Sequence, residues 1–290
     1  MTISEAFELY RQDRIIFANK SPKTLESYVY TEKALLKHLQ EDILLSDLTF
    51  PVVRTWVNDM KKRNLTSGTI RGYVVNLRAV LNYMSILKYE CLNPQLIIVP
   101  KRTDATPEFL SPKEVAKLIA CIDRTSHCSK RMKTRNKAII AVLYASGVRA
   151  SELCSLNKSD IHGNTFSVMG KGRKRRMCML DERAQKLLQE YLSIRIDSDP
   201  ALFVEQATGG RMKVKSLQSF FRRLSERCGL EKQIHPHTLR HSLANDLMRK
   251  GCHIYPLSRI LGHSNIATTQ QYFQMYDPEI VEVYNQYHSV

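Results

Sequence analysis

Apolar residues recur at helical spacing through the first hundred positions of the chain. In the run from Lys23 to Leu39 the apolar positions are Leu25, Tyr28, Leu35, Leu36 and Leu39, preceded by Ser21-Pro22 as an N-cap and a first-turn proline. Similar runs cover Ile3–Phe17, Phe50–Met60 and Ser67–Ile86. The last follows Thr66 and carries Tyr73, Leu77, Val80, Leu81 and Met84 on one side, with Arg71, Asn76 and Arg78 on others. A compact unit of four or five helices is predicted. By itself it fits any helical bundle.

The pattern breaks at Asn93-Pro94 and stays broken through Pro100 to Pro107, polar residues with no apolar period, which predicts an extended linker over 94–109. Ser111, Pro112 and Glu114 then restart a helix as N-cap, first helical residue and capping-box partner. The domains are expected at 1–98 and 110–290, joined through 99–109. In the second, Phe166–Met169 and Arg176–Leu180 alternate or run apolar around Gly170-Lys171-Gly172-Arg173-Lys174, predicting a β-hairpin with a basic turn. Helices are expected to begin near Ala150 and over Glu182–Ile194, Val214–Cys228, Thr238–Lys250, Tyr255–Leu261, Ile266–Met275 and Pro278–Tyr287. The fold class is mainly α with a small β insert.

Composition narrows the function. The 290 residues are 43% hydrophobic, as in ordinary globular proteins. The net charge is +16, from 44 Lys and Arg against 28 Asp and Glu. Residues 1–104 hold 15 basic and 11 acidic side chains, a net of +4, which leaves +12 for residues 105–290. Such a balance favours a polyanionic partner, because each Lys or Arg that neutralises a phosphate releases a counterion. The seven cysteines include no C-x-x-C pair, so reduced thiols in a cytosol fit better than a disulfide scaffold or a four-cysteine zinc site. Neither a secretory signal nor a membrane-length apolar run is visible. A cytoplasmic, nucleoid-associated protein is expected.

Taken singly, the polar residues of the second domain are ambiguous. Arg149, before a helix, could be a surface arginine paired with Glu152. Lys171 in a hairpin turn could be a solvated charge, and Tyr272 a core aromatic. His237 and Arg240 share a helix face at i and i+3. His235, His237 and His241 could suggest a metal cluster, but Pro236 interrupts the set and no nearby Cys or carboxylate completes it. No P-loop is present.

In order, however, Gly147-x-Arg149-x-Ser151-Glu152-Leu153, Gly170-Lys171-Gly172, His237-x-Leu239-Arg240-His241 and Leu261-Gly262-His263, with Tyr272 nine residues later, resemble the tyrosine recombinase (phage integrase) family, most nearly its small bacterial Xer-type members. The resemblance covers residues from about 110 to 290 by motif, and the helical N-terminal part by length and order. It implies a helical core-binding (SAM-like) domain followed by an α+β catalytic domain, acting as a site-specific DNA recombinase. Tyr272 is then the nucleophile that forms a 3′-phosphotyrosyl link. Arg149 and Arg240 hold the non-bridging oxygens, Lys171 protonates the leaving 5′-oxygen, His237 and His263 are the two family histidines, and Glu152 props the site. It also implies a homotetramer on two DNA sites, exchange through a Holliday junction, and a C-terminal helix that docks on a neighbouring protomer or packs in cis. Arg173, Lys174 and Arg175 in the hairpin, and Arg71 and Arg78 in the first domain, are candidate DNA contacts.

The chemistry agrees with those residue types. Guanidinium forks bind phosphate oxygens bidentately and do not deprotonate. A phenol with a free pKa of about 10 needs a base or a cationic field to attack, and histidine can move its proton near neutral pH. A phosphotyrosine ester retains the bond energy, so neither ATP nor a metal is required, and no cofactor is expected. The departures are Ser146, Val148 and Phe273-Gln274, where the family often has Thr, Leu and Thr-His. Tyr276, one turn beyond Tyr272, is the rival nucleophile. Two other readings use the same residues: a type IB topoisomerase, and a non-catalytic DNA-binding regulator with a phosphate cradle.

Overall fold

The computed structural model of the chain describes residues 1–18, 20, 22–101, 108–124, 128–170, 175–205, 208–230, 232–262 and 269–270. The chain divides into two compact units, Met1–Ala105 and Thr106–Val290.

The first unit is built from α1 (Ile3–Ile16), α2 (Pro22–Leu39), α3 (Phe50–Lys62) and α4 (Ser67–Ile86). A capping box opens α1: the Glu5 amide donates to Thr2 Oγ1 at 3.3 Å, and the Thr2 amide to Glu5 Oε2 at 2.8 Å. The long α4 packs against the other three helices. The core it closes includes Phe7, Leu35, Trp56, Leu77, Leu81 and Met84. Trp56 is fully enclosed, and its indole N–H donates to the Ala34 carbonyl at 3.2 Å, so the one polar atom of the ring is satisfied. The break in pattern at Asn93-Pro94 falls inside this unit, within the expected 1–98 domain. Asn93 caps a 3₁₀ turn at Pro94–Leu96, and Ile97 is buried in the same core.

The second unit runs α5 (Pro112–Asp123), α6 (Lys130–Ser146), α7 (Ala150–Ser155), β1 (Thr165–Met169), β2 (Arg175–Met179), α8 (Glu182–Ser193), α9 (Val214–Cys228), α10 (Pro236–Arg249) and α11 (Ile254–Leu261). The fold is mainly α with a two-stranded antiparallel sheet, as the hydrophobic pattern predicts. Ser111 and Glu114 form the expected capping box of α5. The sequence pattern gave no sign of α6, the helix on which the unit is built. Ala138 to Leu143 are all buried, because α5, α8 and α10 cover α6 on several sides. A helix enclosed in this way lacks the polar face that makes a helical period visible. The expected helices at 266–275 and 278–287 lie outside the described residues.

In the hairpin, Phe166 pairs with Cys178 and Val168 with Arg176. Alternation turns Phe166, Val168, Arg176 and Cys178 toward the core, and Met169, Met177 and Met179 toward solvent. An arginine therefore occupies an inward position while methionines are exposed.

Phe221 of α9 is wholly buried in the second core. Phe221→Ala is expected to cost that unit about 3–5 kcal/mol, measured as a lowered urea midpoint; a midpoint within error of wild type would contradict this packing.

Candidate active site

The site begins where α6 ends. Gly147 takes φ +60°, a conformation that favours glycine, and a Cβ there would fall 2.9 Å from Leu243 Cδ2. Val148 is buried next, and Arg149 is the extended N-cap residue of α7. Glu152, in the first turn of α7, reaches back. Its Oε2 accepts the Arg149 amide at 2.8 Å, and its Oε1 accepts Arg149 Nη1 at 2.9 Å. Glu152 is buried, whereas the Arg149 side chain keeps 30% of its exposure.

Arg176 meets the same carboxylate from the hairpin. Its Nη1 donates to Glu152 Oε1 at 2.9 Å and its Nη2 to Oε2 at 2.7 Å. Glu152 thus accepts four hydrogen bonds, matching the roughly four lone-pair sites of a carboxylate. Burial alone would push its pKa up, but the fork from Arg176 and the bonds from Arg149 outweigh it and hold the carboxyl at about 2.

The third component is α10. Pro236, which interrupts the histidine set, is the first residue of α10, where a missing N–H costs nothing, and His235 stands before the helix as its N-cap. Arg240 is buried, with Nη1 donating to the Gly147 carbonyl and Nη2 to the Leu261 carbonyl, so it ties the end of α6 to the end of α11. His237, one turn before Arg240, faces solvent on one side. Loss of hydration on the other, followed by the positive charges of Arg240 and Arg149, holds its pKa below the usual imidazole value. Glu152 also acts on it. Residues from two motifs some ninety positions apart therefore share one electrostatic environment. His241 packs with its ring centroid 6.2 Å from that of His237, and burial, His237 and Arg240 depress it to about 4.

Lys171, Arg173, Lys174, His263, Tyr272 and Tyr276 lie outside the described residues. Arg175 is exposed at the start of β2. Arg71 and Arg78 are half-buried on α4 of the first unit, and Arg71 Nη1 donates to the Pro100 carbonyl. Among the described residues, no group of three or more His, Cys, Asp and Glu side chains could hold a metal ion, and no helix is long and apolar enough to cross a membrane. Arg176 is the residue that the sequence reading missed, placing it at the start of the second strand without a role. Its signal was the period-two alternation with Cys178 and Leu180, both buried.

The phage integrase family model matches residues 108–279. The tyrosine recombinase XerC of Bacillus licheniformis is 31% identical over 283 residues, covering 93% of this chain and 91% of that protein. The tyrosine recombinase XerD of Oceanobacillus iheyensis is 33% identical over 239 residues, 79% of this chain and 78% of that protein. Among solved structures, the integrase of transposon Tn1549, in complex with transposon right end DNA, superposes with a TM-score of 0.79 over 99% of both chains at 20% identity, a likeness of fold. The chain belongs to the phage integrase family, that of the tyrosine recombinases. It is an enzyme of site-specific recombination.

The depressed Glu152 carboxyl makes the site acid-sensitive. A group held at about 2, against 4.5 when free, contributes stability that is full above pH 4.5 and is lost as pH falls toward 2. Between about pH 6 and pH 2.5, wild type is expected to lose on the order of 3 kcal/mol more unfolding free energy than Glu152→Gln. Urea unfolding across that range checks this, and equal slopes would contradict it.

Proposed function

We propose that this enzyme cuts and rejoins duplex DNA at a specific site through a 3′-phosphotyrosyl link on Tyr272. The observation that carries the reading is the gathering of Arg240, Arg149 and the buried, ionised Glu152 around His237. Several fixed cations beside an imidazole of lowered pKa form a receptor for a phosphodiester passing through a more highly charged transition state. A net charge of +12 over residues 105–290 suits DNA as the substrate. So does the Tn1549 integrase, whose structure is a DNA complex.

In this mechanism the Tyr272 phenolic oxygen attacks the scissile phosphorus. Arg149 and Arg240 bind the two non-bridging oxygens, and His263 joins them. His237, neutral at physiological pH because its pKa is lowered, can accept or relay the phenolic proton. Lys171 gives a proton to the departing 5′-oxygen as the P–O bond breaks. One phosphate ester is exchanged for another, so the reverse attack by a 5′-hydroxyl rejoins DNA without ATP. Four protomers on two sites exchange strands through a Holliday junction, and the segment near 278–287 docks on a neighbouring protomer. The enzyme works on the bacterial nucleoid.

Covalent capture tests this. Full-length protein is incubated with a pool of nicked duplexes carrying a randomised core. Adducts that survive detergent are digested to map the tyrosine, and their DNA is sequenced. The adduct is expected on Tyr272; Tyr272→Phe should abolish it and Tyr276→Phe should not. Arg149→Lys and Arg240→Lys are each expected to slow adduct formation about 100-fold. An adduct on another tyrosine, or none in wild type, would overturn the assignment.

A further inference from the structure

We propose that Arg176 is a positioning residue of this site: it clamps Glu152, and through it Arg149, against the turn at Gly262 that leads into His263. The proposal rests on the functional reading above.

The first argument is where the arginine sits. Arg176 lies on the inward face of β2, opposite Val168 and next but one to Cys178, and its side chain is only 8% exposed. A guanidinium on the apolar face of a hairpin is costly unless its charge is met, and here Glu152 meets it through two parallel hydrogen bonds. The same carboxylate holds Arg149, which is 30% exposed. One carboxylate thus serves two arginines in different situations. Arg176 turns both Nη atoms to the carboxylate, whereas Arg149 gives it Nη1 and stays 30% exposed.

The second argument is what lies on the other side of Arg176. A Cβ at Gly262 would fall 2.5 Å from Arg176 Cδ, 3.1 Å from Nε and 3.2 Å from Nη1. The Gly262 backbone, at φ +66°, therefore lies directly against the arginine. The neighbouring Leu261 carbonyl accepts from Arg240. The turn before His263 is gripped by Arg240 through a hydrogen bond and by Arg176 through contact. From one hairpin position, Arg176 touches the first motif at Glu152 and the fourth at Gly262. Its own strand leads back toward the connection that contains Lys171. Lysine, a point charge, cannot reproduce that planar fork.

A residue that acts in this way should govern rate rather than affinity. The experiment uses the full-length chain and the duplex recovered by covalent capture. Arg176→Met removes the fork and keeps an apolar stem. It is expected to slow adduct formation about 100-fold, the scale of a small misplacement of reacting groups, while the Kd for the duplex changes no more than about threefold. The acid limb of its rate should also move to higher pH than in wild type, because a buried Glu152 deprived of its stronger partner protonates more readily. Arg176→Lys should fall between. Gly262→Ala, which removes no charge but displaces Arg176, should show the same shift. If Arg176→Met fails to melt cooperatively, these last two variants carry the test. Wild-type rate and pH profile in the variants would overturn the proposal, and so would a loss that follows DNA affinity. If wild type itself forms no adduct, the functional reading fails and the clamp is judged without DNA. Amide hydrogen exchange at 147–153 and 258–262 should rise together in Arg176→Met, and unchanged exchange at either segment would refute the clamp.

Discussion

One buried carboxylate organises the second unit's chemistry. Glu152 can be ionised out of water only because all its acceptor positions are filled, two by Arg149 and two by Arg176. The dependence is mutual, since a guanidinium on the inner face of a hairpin has no reason to stay there without it. Backbone geometry sets this up. Gly147 ends α6, Val148 anchors the chain in the core, and α7 starts at once, so that its first turn points a glutamate back at its own N-cap residue. The hairpin register then brings Arg176 to the same point from the other side.

That arrangement decides how charge is distributed. Two arginines are drawn against one carboxylate, and a third, Arg240, is held by carbonyl oxygens. The surplus is positive, and His237 lies within it. An imidazole beside fixed cations gives up its proton at lower pH than a free one and remains a base where most histidines are half protonated. The cluster can therefore offer immobile positive charge and a proton acceptor together, a combination that phosphoryl transfer uses and that a plain DNA-binding surface does not need.

Much of this was readable from residues. The helices with a clear apolar stripe or an explicit cap emerged nearly to the residue: α4, α9 and the Ser111–Glu114 start of α5. The order and spacing of the motifs pointed to the family. Two failures share a physical cause. The central helix α6 is covered on so many sides that no amphipathic period survives. Arg176 was hidden because polarity was taken as exposure, while the hairpin turned methionines outward and an arginine inward. In both cases tertiary burial overrode the local pattern, and only strand alternation carried a trace of it. The break read at Asn93-Pro94 is a 3₁₀ turn inside the first unit, and the apolar run at 96–99 that follows it places Ile97 in that core.

Arg240 has a consequence for how the enzyme waits. Its guanidinium is solvated by carbonyl groups at the ends of α6 and α11, where helix dipoles leave partial negative charge. Those dipoles belong to rigid elements and cannot reorient as water does. The work of stripping the cation of its hydration shell was therefore done when the domain folded, and the protein needs no nucleic acid to tolerate it. In the proposed role, an anion would meet a charge already dry and fixed in direction, with little reorganisation left to slow the reaction.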